Sequence, residues 1–134
     1  MAANTTAIFP KTPVVGIATL TSATAITSRA NITGTTGLVQ LTATATEGTR
    51  VDAITITGKG STVASVLDIW LYNGTTSFYL TSMNIDLTTA STTVAPFTAT
   101  RTFTTLGVPL GSSQIFVSQT IQTDVNVFAF GGVY

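Results

Sequence analysis

Apolar and hydroxyl-bearing residues alternate along most of this chain, in short runs broken by Gly, Asn, Asp, Ser or Pro. A period of two places successive side chains on opposite faces of a strand. No segment carries a 3.6-residue apolar stripe with caps, so the pattern predicts strands and no helices. Val14–Leu20 is a first strand, and residues 24–27 continue it after a kink. Residues 31–37 (NITGTTG) are turn chemistry. Residues 38–45 alternate again, with Val39, Leu41, Ala43 and Ala45 on the core side. Glu47-Gly48 turns the chain into residues 50–57, where Ile54 and Ile56 mark the buried face. Gly58-Lys59-Gly60 is a loop.

Residues 62–72 form the most apolar strand. Leu67, Ile69 and Leu71 line one face, and Val66, Asp68, Trp70 and Tyr72 the other. Large groups on both faces predict a central strand with its second face partly covered. Asn73-Gly74 is the strongest hairpin signal in the chain and returns it into residues 76–84. Residues 87–94 are a Thr/Ser loop. Residues 95–104 form a strand with Phe97 and Phe103 on one parity and Arg101 beside them. Residues 106–111 read as a loop with buried aliphatic side chains. Strands at 114–120 and 125–130 flank a turn at Thr123-Asp124, and Gly131-Gly132 ends the set.

The expected fold is therefore all-β: an antiparallel β-sandwich of about eight strands, jelly-roll-like. An immunoglobulin-like sandwich or a small barrel shares the same alternation. Residues 14–134 make the sandwich domain, and residues 1–13 an extended N-terminal arm. Phe9 and Thr12 each precede a proline, which biases them to extended or polyproline II backbone. That arm is either a frayed terminus or a segment that orders on a neighbouring subunit. In the second case Phe9, Pro10 and Pro13 form the interface, with Phe9 as apolar anchor.

Composition narrows the chemistry. Thr occupies 31 of 134 positions, and charged residues make up 7% of the chain, against about 25% in ordinary soluble domains. Threonine is β-branched and suits a pleated strand while keeping the surface polar without charge. Five basic residues balance five acidic ones. With no basic stripe, nucleic-acid binding has no electrostatic basis, and a nearly uncharged surface favours association. There is no His and no Cys, so Ser-His-Asp and Cys-His catalysis have no residues to work with. Imidazole- or thiolate-seeking metals likewise lack ligands. No cofactor and no metal are expected, and the chain is read as not an enzyme. Residues 1–13 have no signal-peptide pattern. No stretch approaches the roughly 20 apolar residues of a membrane helix, so no membrane association is expected, and synthesis is expected in a cytoplasm.

Weaker features have plain readings. Gly58-Lys59-Gly60-Ser61-Thr62 lacks the spacing of a phosphate loop and precedes a strand. Glu47 and Asp52 lie near one hairpin and keep a two-carboxylate glycosidase in view, although a solvated turn accounts for them. Asp68 reads as an exposed acid on an outer face; if buried, it needs a partner, for which Arg101 and Arg50 are candidates. Trp70, Tyr72, Phe78 and Tyr79 flank the hairpin. Core and cross-strand packing explains them, and exposed rings would instead suit a glycan.

Two stretches, Arg50-Val-Asp-Ala-Ile-Thr-Ile56 and Leu67-Asp-Ile-Trp-Leu-Tyr-Asn-Gly-Thr-Thr76, resemble segments of small virion proteins of tailed bacteriophages. Pro96-Phe97, Gly107-Val-Pro-Leu-Gly111 and the ending Val125-Asn-Val-Phe-Ala-Phe-Gly-Gly-Val-Tyr134 are similar to later parts of the same proteins. The resemblance covers about residues 38–134. It implies a non-enzymatic capsid decoration (cement) protein on the virion surface, made in the host bacterial cytoplasm. Its partners would be the major capsid protein and copies of itself, as a homotrimer at a local three-fold. The alternative is a tail- or fibre-associated adhesive domain that binds glycan through Trp70, Tyr72 and Tyr79.

Overall fold

The computed structural model describes residues 14–21, 25–42, 49–108 and 113–133. The arm, with Phe9, Pro10 and Pro13, lies outside the described residues, as does Glu47. The described chain is all-β, with nine strands: β1 Val14–Leu20, β2 Ile32–Thr33, β3 Val39–Gln40, β4 Thr49–Gly58, β5 Ser65–Tyr72, β6 Thr76–Ile85, β7 Thr98–Val108, β8 Gln114–Gln119 and β9 Val125–Val133. They form two antiparallel sheets. One has the order β1-β9-β4-β7, the other β2-β6-β5-β8-β3. The expected β-sandwich is present, with β5 central in its sheet.

The inward faces of the two sheets make the core. Leu20, Val51, Ile54, Ile56, Val125, Val127 and Ala129 come from the first sheet, and Leu67, Ile69, Met83, Ile85, Ile115 and Val117 from the second. Each fully buried Ile, Leu or Val contributes roughly 1.5–3 kcal/mol of hydrophobic stabilisation. The buried polar Gln119 is satisfied locally: its Nε2 donates to the Thr123 carbonyl at 2.6 Å, and its Oε1 accepts from the Thr123 N–H at 3.3 Å. This closes the β8–β9 turn.

The first sheet approaches β3 where β1 carries Gly16. A Cβ there would lie 1.8 Å from the Leu41 carbonyl oxygen, so only glycine lets the two backbones meet. On the opposite side, β7 faces β6. Arg101 lies opposite Ile54, and directly opposed residues share a face, so its side chain points inward at the sheet edge. Its guanidinium donates to the Thr81 hydroxyl and to the Ser82 carbonyl at 3.0 Å, and it lies over the Phe103 ring. One cation thus ties the two sheets together along their open seam.

Several elements differ from the sequence reading, each for a tertiary reason. Residues 25–27 do not extend β1; Ala25 forms a parallel bridge with Gln119 and Ile26 N–H donates to the Gln119 carbonyl. β7 continues through Leu106 and Val108, which were expected in a loop, because Thr49–Val51 of β4 pair with Leu106, Gly107 and Val108. Gly131 and Gly132 stay in β9, opposite Val51 and Arg50. A register shift between Val51 and Ala53 changes the parity of β4, so Val51 joins Ile54 and Ile56 in the core. Only Val39 and Gln40 of residues 38–45 form a ladder, and residues 43–45 lie outside the described residues.

Candidate functional site: a latched face and an open face

The outer faces of the two sheets are built differently. On β5, Asp68 and Trp70 point away from the core that Leu67 and Ile69 enter, yet both are fully buried. Their cover is a strap, residues 25–33. It leaves the Gln119 end of β8, crosses β5 and joins β6, where Ile32 and Thr33 pair with Ser77 and Thr76. Gly34, at φ 78°, turns the chain there. The Gly34 N–H donates to the Thr75 carbonyl at 2.7 Å, and the Ser77 hydroxyl donates to the Gly34 carbonyl at 2.6 Å.

Arg29 fastens the strap. Its Nε donates to Asp68 Oδ1 at 3.1 Å, its second guanidinium nitrogen lies 3.1 Å from the same oxygen, and its plane sits over Tyr79. The Ser82 hydroxyl donates to Asp68 Oδ1 at 2.7 Å. That commits the one Ser82 hydrogen, so Tyr79 is the donor in its 2.5 Å contact with Ser82. A chain of donors therefore runs from Tyr79 through Ser82 to the carboxylate, with Arg29 closing it from above. The hydrogen bond to Asp68, and then its charge, raise the Arg29 pKa above its already basic ordinary value. Asp68 Oδ2 is buried with no partner among the described residues. Beneath the strap, Trp70 Nε1 donates to Ser118 Oγ at 2.9 Å and Tyr79 meets the indole edge-on.

This arrangement corrects two expectations. Asp68 is buried, not an exposed outer-face acid, and its partner is Arg29, not Arg101 or Arg50. Arg101 ties the seam, and Arg50 forms a two-point contact with Asp52 at 2.8 and 3.0 Å. Arg29 was hidden by its distance of 39 residues from Asp68. Its one sequence signal is a lone cation within a small, polar loop (TSRAN).

The outer face of the first sheet has no such cover among the described residues. Register places Ile17, Phe128, Phe130, Ala53 and Thr55 on it together. Ile17 is 60% exposed and Phe130 37%, and the rings of Phe128 and Phe130 stack at 6.3 Å. Across β4 and β7 the face becomes a hydroxyl ladder, with Thr55 and Thr100 in a 2.8 Å contact and Thr57 beside Thr98. Its charged pair is Arg50 and Asp52, each neutralising the other. Sequence alternation alone does not bring these residues together. The signal for Phe128 and Phe130 was there: Val125–Val133 is apolar on both parities, like β5.

Trp70, Tyr72 and Tyr79 do not form an exposed row. Trp70 is buried, Tyr72 packs edge-on against Phe116 at 5.6 Å, and Tyr79 is partly exposed beneath Arg29. Of the acids weighed, Asp52 faces solvent on the first sheet and Asp68 lies under the strap on the second. No protein-family model, no curated protein and no solved structure matches the chain.

Proposed function

We propose that this chain is a non-enzymatic structural protein of a bacteriophage virion, a capsid decoration protein that reinforces the head by binding across capsomers. The observation that carries the reading is the open outer face of the first sheet: hydroxyl-coated, apolar at Ile17, Phe128 and Phe130, and charge-balanced at Arg50 and Asp52. Such a face suits contact with protein. Like copies can crowd beside one another on it without repulsion.

The strand order supports the same reading. Without the two-residue β2, the sheets interleave as β1-β9-β4-β7 and β6-β5-β8-β3. We take this as a jelly roll, an arrangement used by viral capsid domains and also by lectins and cupins, so the fold alone does not specify the function. The resemblance of residues 38–134 to small phage virion proteins points the same way. Each contact with the shell would be modest, and many symmetry-related copies would act together through avidity. A closed homotrimer would present three identical patches to the major capsid protein.

The experiment is co-sedimentation. Purified chain is added to phage heads that lack it, and the heads are pelleted. Saturable binding with a fixed number of copies per head, and a higher temperature of DNA release, are expected. Failure to pellet with any head overturns the proposal. The glycan-binding alternative has less support, since its central ring, Trp70, lies beneath the strap.

A further inference from the structure

The open patch lies beside the point where the N-terminal segment enters the sandwich. Val14 begins β1 at the edge of the first sheet and pairs with Phe130. From there the patch extends along β1 toward Ile17, in the direction of chain travel. Residues 1–13 precede Val14 in sequence. They contain Ile8 and Phe9, and Lys11 is their one charged side chain. Pro10 and Pro13 fix their own φ, and Phe9 and Thr12 are held to extended backbone by the prolines that follow. That stiffness disfavours the chain reversal that docking on this chain's own patch would require, so the patch of another copy is the better partner.

We infer that the Ile8-Phe9 segment of one copy docks on the Ile17, Phe128 and Phe130 patch of a second copy. This rests on the self-associating reading given above and names its contact. A segment with one charge meets a face whose charges cancel. The Phe9 ring supplies an aromatic anchor for a stacked pair of rings, the kind of buried centre that dominates protein interfaces. Donor segment and acceptor patch are different surfaces, so the contact is heterologous and must close into a ring or continue. A ring of three satisfies it with every segment and every patch occupied.

The chain has no cysteine, which makes cross-linking clean. Phe9→Cys and Ile17→Cys are combined in the full chain and oxidised gently, with each single variant alongside. Covalent species larger than a dimer are expected from the double variant, because one cysteine per chain can give dimers at most. A cross-link confined within one chain, or none, overturns the inference. Light scattering adds a second test. Full-length chain should have at least twice the 13.8 kDa protomer mass, and chain lacking residues 1–13 should run as a monomer. Mixing that truncated chain with a Phe130→Ser variant should give a heterodimer and nothing larger, since one keeps only its patch and the other only its segment. Cross-linking without head binding would retain this inference and remove the proposed function, and head binding without cross-linking would do the reverse.

Discussion

Arg29 reaches from the strap to the buried carboxylate of Asp68, two nitrogens on one oxygen at 3.1 Å. The cation is half-exposed and the anion fully buried. Removing the cation leaves a buried charge uncompensated, which is more damaging than losing both partners. Arg29→Ala is therefore expected to lower the denaturation midpoint more than the double variant Arg29→Ala with Asp68→Asn. A double-mutant cycle by chemical denaturation checks this; additive effects would show that the two residues do not act as a unit.

The single tryptophan reports on the same strap. Trp70 is buried, and its N–H is bonded to Ser118. Its emission should be blue-shifted and poorly quenched by iodide in the native chain, and should shift to the red in Arg29→Ala as the cover loosens. Trp70→Ala should cost about 3–5 kcal/mol, in the range of large-to-small core truncations, measured by urea titration.

Gly16 and Gly131 are fixed by contact. A Cβ at Gly16 would fall 1.8 Å from the Leu41 carbonyl oxygen, and at Gly131 1.9 Å from that of Arg50. Neither neighbour is a flexible side-chain end. Alanine at either position should cost at least the about 1–3 kcal/mol of ordinary overpacking. Gly60, with nothing within 4 Å of a Cβ, should accept alanine within about 0.5 kcal/mol. Thermal unfolding of the three variants separates these outcomes.

Arg101 guards a long edge. β7 is the terminal strand of its sheet, and an inward-pointing charge on such a strand discourages pairing with other chains. Arg101→Val should fold, lose its bonds to Thr81 and Ser82, and scatter light at a lower temperature than the parent chain on heating. Unchanged aggregation would remove this role.

Much of the sandwich was legible because alternation and turn residues are local. Val14–Leu20 and the hairpin at Asn73-Gly74 follow from residues within a few positions of one another, and β5 read as central because both its faces are apolar. What was not legible depends on distant partners. The bulge after Val51 changes which β4 residues face inward. Gly131 and Gly132, which read as a stop, continue β9 because the Arg50 backbone needs a neighbour without a side chain. Asp68 looked like a surface acid because nothing near it in sequence shows that residues 25–33 cross over it. Phe128 and Phe130 show in the sequence as a second apolar parity of β9, whereas Ile17 joins them only when β1 and β9 are laid side by side.

Cryo-electron microscopy of the phage particle that carries this chain tests the central claim most directly. The account predicts sandwich-shaped density on the outer surface of the head, in symmetric groups that bridge capsomers, with the first sheet's outer face covered by a neighbour. A particle whose head bears none of this density, with the chain on the tail or absent altogether, would contradict it.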